Sequence, residues 1–164
     1  MNSYRTHNCD ELRLSDVDKD VTLVGWVDTV RDHGGVIFID LRDREGKTQV
    51  VFHPEVSAEL TNQAENLRVE SVIQVKGKVV GRLKTAEVDA TNPDLATGEI
   101  EVEVHEMQVL NRSAVLPFQL DRSNTNEDIR LKYRFLDLRR PAMQRNMVLR
   151  HRITKTVRDY LDEQ

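Results

Sequence analysis

The chain has 164 residues, of which 38% are hydrophobic and 32% are charged, and its formal net charge is -4. This length fits one domain, or one domain with part of a second, and the composition predicts a modest core under a highly charged surface. The negative balance excludes a protein that binds nucleic acid through general positive charge alone. The polar N-terminus and the lack of any run of roughly 20 apolar residues predict no membrane association and a cytoplasmic location.

Charge is distributed unevenly along the chain. Residues 128–152 contain eight arginines and lysines against two aspartates, so this segment carries a net charge of +6. A basic segment beside an acidic body is typical of a contact with nucleic acid or a partner, and a solvated helix face is the alternative.

Cys9 is the only cysteine, which excludes a disulfide within the chain and is typical of a reducing compartment. His7 lies two residues earlier, and both side chains are of a type that ligates metals. A structural zinc site normally needs four ligands, and no second pair of this kind lies nearby. We therefore expect no metal site.

Three strands are predicted in the first third of the chain. Residues 21–27 alternate with valine, leucine and glycine on one face, and residues 36–39 form a short apolar run. Residues 48–52 form the third strand, which ends before Pro54 because proline has no N–H to donate. Between the second and third strands, Gly46 is predicted at positive φ in a tight hairpin.

A helix and two further strands follow. Residues 57–67 carry apolar side chains near helical spacing, and Ser57 can cap the first turn. Strand character returns at residues 71–80, and clean alternation from residue 99 to about residue 110 predicts a fifth strand. The polar residues 81–98, with their Asn-Pro and Thr-Gly turn signals, predict a mobile loop.

Three strands, a short helix and two strands form the order of elements in an OB-fold, a five-stranded Greek-key barrel that binds oligonucleotides on strands 2 and 3 and the adjacent loops. We therefore predict a mainly β domain over residues 1–112, with another small barrel as the alternative. Residues 113–140 are predicted to be a hinge or linker, and residues 141–164 a long C-terminal helix.

The helical part of the chain has its own signals. Asn126 or Thr125 can cap a short helix that reaches Lys132, and Pro141 suits the first turn of the final helix. An apolar face with helical spacing then recurs along the final helix, at Leu149, Ile153, Val157, Tyr160 and Leu161.

The motif Gly25-Trp26-Val27 and the run from Arg31 to Gly46 resemble the N-terminal anticodon-binding domain of bacterial aspartyl-tRNA synthetases. Residues 96–102 and 130–141 resemble later segments of the same family, in family order. The resemblance covers essentially the whole chain. It implies an anticodon-binding domain, a hinge, and the start of a class II catalytic domain at residues 141–164.

This resemblance implies a part of an aspartate–tRNA ligase, which attaches aspartate to tRNA with ATP and Mg²⁺. The family's ATP-binding arginines lie downstream of Gln164, and its full-length members are homodimers. We therefore expect this chain to bind tRNA-Asp but to hold no cofactor, to contain no catalytic residue and to lack ligase activity. By itself it is expected to be a monomer or to self-associate weakly.

Five anticodon-binding residues are implied by the resemblance. Phe38 matches the aromatic residue that stacks on an anticodon base, and Arg31 and Gln49 match residues that contact the central uridine. Arg82 matches an arginine that reaches the third base. Glu101 matches the acidic residue that reads the first base, a guanine or its modified form.

His33 and Gly34 resemble the turn of relaxed family members, which also charge tRNA-Asn. The two tRNAs differ at the third anticodon base, so the resemblance implies that this turn influences tRNA specificity. The alternative is a hairpin histidine with no role beyond solvation.

The chain departs from the family after Val27. Asp28, Thr29 and Val30 replace a run that is usually basic, and Val80 replaces a second arginine near the fourth strand. Each lost phosphate contact lowers affinity and flattens its salt dependence. We therefore expect weaker tRNA binding than in typical relatives.

Other interpretations remain open from the residues alone. A strand phenylalanine such as Phe38 usually packs inside, although Ile37 and Ile39 can fill the barrel and free it to face outward. Arg31 and Glu101 taken singly are typical of a solvated surface. A freestanding OB-fold module that binds single strands is the alternative function, and a structural role of the basic segment is a third.

Overall fold

The computed structural model describes residues 4–82, 89–120 and 124–164. The chain divides into two compact units, Met1–Ala114 and Val115–Gln164. Among the described residues, the first unit is a closed β-barrel with one α-helix and a short 3-10 helix at Leu14–Asp16, and the second unit is helical.

The barrel has five strands. Its elements are β1 (Asp20–His33), β2 (Val36–Arg42), β3 (Lys47–Phe52), α1 (Ala58–Glu65), β4 (Val72–Gly81) and β5 (Ile100–Asn111). The order around the barrel is β1-β2-β3-β5-β4, closed by pairing of β4 with β1. Only the β3–β5 pair is parallel among these neighbours. The predicted OB-fold, with its helix between the third and fourth strands, is confirmed.

Alternation along the strands fills the barrel. The predicted inner face of β1 is confirmed, since Val21, Leu23 and Val27 are all nearly or fully buried. Ile37 and Ile39, which flank Phe38 on β2, are buried in the same core. Branched aliphatic side chains suit this pleated surface, and their burial is the main stabilising contribution to the barrel.

A β-bulge in β1 changes which residues face outward. The β1–β2 register shifts between Val27 and Thr29, so Asp28 is an extra residue on β1. Strict alternation would place Arg31 on the inner face with Val27. After the bulge, Val30 packs against the core instead, and Arg31 lies opposite Phe38 on the outer face. The predicted first strand ended at residue 27 and missed this bulge.

Two glycines make the turn between β1 and β2. Gly34 has a φ of +66° and Gly35 a φ of +90°, the backbone pattern of a two-residue hairpin turn that matches the twist of the strands. The N–H of Gly35 also donates to Oδ1 of Asp32 at 2.8 Å. The turn holds His33 at the end of β1.

The prediction for Gly46 is wrong, because its φ is not positive. The β2–β3 turn is stabilised by Oδ1 of Asp43, which accepts from the N–H groups of Glu45 at 2.7 Å and Gly46 at 3.1 Å. A Cβ at position 46 would lie 2.7 Å from the Cβ of Asp10. Glycine is therefore required here for close packing against the N-terminal segment.

Cys9 lies in that N-terminal segment and is fully buried in the core. Burial raises the pKa of its thiol, and the nearby Asp43 carboxylate raises it further. Among residues 4–82, 89–120 and 124–164, no three His, Cys, Asp or Glu side chains form a group that could hold a metal ion.

Side-chain hydrogen bonds stabilise the start of α1 and the long connection between β4 and β5. Ser57 caps α1 as predicted, with its Oγ accepting from the N–H of Leu60 at 3.3 Å. Of the predicted loop 81–98, residues 83–88 lie outside the described residues. Residues 89–98 form hydrogen-bonded turns, and Thr97 Oγ1 donates to the Lys47 carbonyl at 2.7 Å. This part is therefore tied to β3.

The second unit contains α2 (Glu127–Lys132), α3 (Arg134–Asp137) and α4 (Pro141–Asp162). Asn126 caps α2, with Oδ1 accepting from the Asp128 N–H at 2.8 Å, and Pro141 opens α4, both as predicted. The short α3 was not predicted. In the part of the chain that the structure describes, no helix has the length and apolar character needed to cross a membrane.

One of the two aspartates in the basic segment, residues 128–152, is buried among its arginines. Asp137 is fully buried and accepts hydrogen bonds from Arg134 and from Arg140, and Arg130 approaches it at 3.8 Å. Part of the positive charge is therefore neutralised internally. The apolar residues predicted on one face of α4 are all more than half exposed.

The bulge predicts that two valines of β1 differ in how much they stabilise the fold. Strict alternation would place Val24 and Val30 on the same outer face, whereas the structure packs Val30 against the core. We expect Val30→Ala to lower the free energy of unfolding by about 1–2 kcal/mol, as for a partly buried aliphatic truncation. Val24→Ala is the matched control and should change it by roughly 0.5 kcal/mol or less. Urea unfolding measures both, and equal losses would contradict the bulge.

Candidate nucleic-acid interface

A cavity of about 380 Å³ opens on the outer face of the barrel. Its lining comes from β1, β2, β3, β5 and the connection between β4 and β5, and consists of Arg31, His33, Phe38, Gln49, Arg82, Ala90 and Glu101. The structure thus brings together all five residues predicted to bind the anticodon, together with His33. Gly34 lies in the adjoining turn. We call this site the outer cavity.

Phe38 supplies an aromatic surface in the outer cavity. It lies between the buried Ile37 and Ile39, so the alternation of β2 directs its ring away from the core. The ring meets the His33 imidazole edge to face, with ring centroids 5.5 Å apart and planes at 71°. The hairpin turn therefore places a second ring against the first.

Gln49 connects the two charged ends of the outer cavity. Nη2 of Arg31 donates to its Oε1 at 3.2 Å, and its Nε2 donates to Oε2 of Glu101 at 2.7 Å. An arginine only donates and a carboxylate only accepts, so these neighbours fix the polarity of the amide. Among the described residues, one lone pair and one N–H of the Gln49 amide have no further hydrogen bond.

Asp40 anchors this chain of hydrogen bonds. Its Oδ1 accepts from Nη2 of Arg31 at 2.8 Å, and its Oδ2 accepts from Oγ1 of Thr29 at 2.6 Å. Asp40 is not among the anticodon-binding residues that the family resemblance implies. The available signal was its place two residues after Phe38, which puts both on one face of β2.

Arg82 lies just after β4 and binds the backbone at the start of β5. Its N–H donates to the Glu99 carbonyl at 2.9 Å, and its Nε donates to the Ile100 carbonyl at 3.0 Å. Its Nη2 is buried and has no hydrogen-bond partner among the described residues. Burial lowers the pKa of this guanidinium, while the Glu101 carboxylate acts in the opposite direction. An acceptor that reached Nη2 would relieve an unpaired buried donor.

The departures from the family pattern also have structural partners. Asp28 accepts from Nε of Arg42 at 2.8 Å and from Nζ of Lys47 at 2.5 Å. Thr29 donates to Asp40. The side chains of Asp28 and Thr29 therefore bind other protein groups on the sheet surface. The Arg42 guanidinium, which Asp28 binds, also lies 5.4 Å from the centre of the Trp26 ring.

A closed five-stranded barrel with an aromatic ring and polar side chains in a cavity on its outer face is the architecture of an OB-fold domain. Residues 21–110 match the family model of the OB-fold nucleic acid binding domain, and the chain belongs to this family. Residues 126–164 match the family model of class II tRNA synthetases of the D, K and N types.

The curated relatives are bacterial ligases. The aspartate–tRNA(Asp/Asn) ligase of Thermoanaerobacter pseudethanolicus is 52% identical over 96% of this chain and 26% of its own length. The ligase of the same name from Magnetococcus marinus is 53% identical over 96% of this chain and 25% of its own length. The chain thus spans about a quarter of the length of these relatives.

Solved synthetase structures share the architecture. Asparaginyl-tRNA synthetase from Pyrococcus horikoshii, complexed with asparaginyl-adenylate, matches with a TM-score of 0.81 and 26% identity over 96% of this chain and 34% of its own. Aspartyl-tRNA synthetase from Entamoeba histolytica matches with a TM-score of 0.85 and 19% identity over 99% of this chain and 38% of its own. At that identity, the second likeness supports the fold alone.

Two phenylalanines on adjacent strands test whether the outer cavity is separate from the core. Phe52 on β3 is only 1% exposed, so Phe52→Ala should lower the free energy of unfolding by about 3–5 kcal/mol. Phe38→Ala removes a ring on the outer face, and we expect a loss of roughly 1 kcal/mol. Chemical denaturation of both variants measures the difference. A loss at Phe38 as large as that at Phe52 would place its ring in the core.

Proposed function

We propose that this chain is the anticodon-reading part of an aspartate–tRNA ligase. The observation that carries the proposal is the outer cavity, where an aromatic ring lies beside a hydrogen-bonded row formed by Arg31, Gln49 and Glu101. The matches to the OB-fold family and to the bacterial ligases support it.

The chemistry of the outer cavity suits unpaired bases. Stacking on an aromatic ring is worth roughly 1–3 kcal/mol per base and tolerates any base, so Phe38 would supply affinity rather than selectivity. Selectivity requires donors and acceptors on the base edges, which are exposed only in a loop. The lone pair and N–H of Gln49 that have no partner among the described residues would pair with a base edge that carries a donor beside an acceptor, as the central uridine does.

The charged ends of the outer cavity would read the other two bases. Guanine carries two adjacent N–H donors on its Watson–Crick edge, and the Glu101 carboxylate accepts from both in one plane. Arg82 would meet the third base, with Nη2 as the donor that lacks a partner among the described residues. His33 lines the same cavity, so the turn it shares with Gly34 is placed to influence this reading.

We further propose relaxed tRNA specificity, with tRNA-Asp and tRNA-Asn as partners. The relatives are named aspartate–tRNA(Asp/Asn) ligases, and these tRNAs differ at the third anticodon base. The turn at His33 and Gly34 is the part of the chain that would allow both.

The remaining assignments concern the ligase as a whole. We propose an anticodon-binding domain over residues 1–112, a hinge over 113–140 and the start of the catalytic domain over 141–164. The ligase would be a cytoplasmic homodimer that uses ATP and Mg²⁺, and no described residue is assigned to that chemistry.

Anticodon stem-loops test the proposal. With guanine first and uridine second, loops that carry cytidine or uridine third should bind the 164-residue chain with similar affinity. Phe38→Ala should weaken binding roughly tenfold or more, because a stacking platform is lost. Tyr4→Ala removes an exposed aromatic residue elsewhere on the barrel unit and serves as the control.

Fluorescence anisotropy gives the dissociation constants. Equal binding of stem-loops and of unrelated single strands would favour the freestanding single-strand module instead. A strong preference for cytidine over uridine at the third base would contradict relaxed specificity and leave the anticodon-reading role intact.

A further inference from the structure

We infer that Asp40 is a positioning residue, which fixes Arg31 and, through it, the amide of Gln49, and so sets which base the outer cavity accepts at the central position. This inference rests on the proposed anticodon-reading function. Asp40 is not among the residues that line the outer cavity, but it binds Arg31, which does line it.

Both oxygens of the Asp40 carboxylate have partners. Oδ1 accepts from Arg31 and Oδ2 accepts from Thr29, and the residue is only 9% exposed. Asp40 pairs with Thr29 on β1 and with Gln49 on β3 in the strand register. It therefore lies on the strand between β1, which carries both of its hydrogen-bond partners, and β3, which carries Gln49.

Arg31 needs such an anchor because its side chain is 42% exposed and has many rotamers. The same Nη2 nitrogen donates to Asp40 at 2.8 Å and to Gln49 at 3.2 Å. The shorter, charge-assisted bond to Asp40 is the stronger of the two. It holds the guanidinium where its second N–H meets Oε1 of Gln49.

The orientation of the Gln49 amide then determines whether uracil or cytosine is preferred at the central position. Uracil presents an N–H flanked by carbonyl oxygens, whereas cytosine presents a ring nitrogen acceptor beside an amino donor. The two bases thus offer opposite donor and acceptor patterns to an amide that cannot rotate. If Arg31 is released, the Gln49 oxygen loses its donor. The bond from Nε2 to Glu101 then holds the amide alone, so the orientation that distinguishes the two bases is fixed less strictly.

A second carboxylate on the same face provides a matched control. Asp28 binds Nε of Arg42 at 2.8 Å, much as Asp40 binds Arg31, but neither Asp28 nor Arg42 lines the outer cavity. Asp28→Asn and Asp40→Asn therefore remove the same charge from the same sheet surface, and only the second removes the anchor of a cavity residue.

The experiment measures the ratio of dissociation constants for stem-loops with central cytidine and central uridine. In the 164-residue chain we expect Asp40→Asn to lower this preference for uridine roughly tenfold, as when a hydrogen bond to a charged group is weakened. Asp28→Asn should leave the ratio unchanged. Combining Asp40→Asn with Arg31→Ala should give the same ratio as Arg31→Ala alone, because Asp40 acts through Arg31.

Circular dichroism and thermal unfolding establish that each variant is folded. If Asp40→Asn does not fold, Thr29→Val removes the hydroxyl that holds the other carboxylate oxygen. We expect it to produce a smaller loss of uridine preference in the same direction, and an unchanged ratio would then overturn the inference.

The outcomes separate the inference from the function on which it rests. An unchanged ratio in Asp40→Asn, together with a lost preference in Gln49→Ala, overturns the role of Asp40 alone. A further loss in the double variant beyond Arg31→Ala also overturns it. If the unsubstituted chain shows no preference for central uridine, the proposed function itself fails.

Discussion

The extra residue in β1 is the constraint on which the outer cavity depends. Without the bulge at Asp28, the period of two that buries Leu23 and Val27 would continue along the strand and direct Arg31 into the barrel. The bulge reverses the alternation, so Val30 meets the core and Arg31 lies opposite Phe38. A bulge beside a functional site that redirects one side chain is a recurring use of this feature.

The barrel then supplies rigidity that the individual side chains lack. Four neighbouring strands carry the hydrogen-bonded row from Thr29 through Asp40, Arg31 and Gln49 to Glu101. Each member has a partner on another strand, so their relative positions are set by strand register rather than by flexible loops. A site preorganised in this way loses less conformational entropy when a ligand binds.

Much of the architecture could be predicted from the sequence, because apolar alternation and turn residues are local signals. The five strands and the Ser57 cap follow from neighbours within a few residues. For Phe38, the neighbouring isoleucines only left open that its ring faces outward. The family resemblance supplied the site residues, which composition and spacing alone would have left as solvated surface. Their meeting in one cavity depends on how four strands pair around the barrel, which no local pattern records.

Other features were missed for physical reasons. The mark that the bulge leaves in the sequence is a break in alternation, with Val30 out of phase with Val27, and such a break also fits the end of a strand. The turn at Gly46 was misread because its glycine serves close packing against Asp10, a contact made far away in the sequence. The anchoring role of Asp40 also required the structure, because its partners come from β1.

The central claim is that the side chains gathered by the bulge receive unpaired bases. NMR titration of the 164-residue chain with an anticodon stem-loop tests it directly through the side-chain amides of two glutamines. We predict that the side-chain amide resonances of Gln49 shift on binding. Those of Gln74, which lies on the exposed side of β4 and donates to the Tyr4 carbonyl, should remain in place. Shifts at Gln74 with none at Gln49 would contradict it.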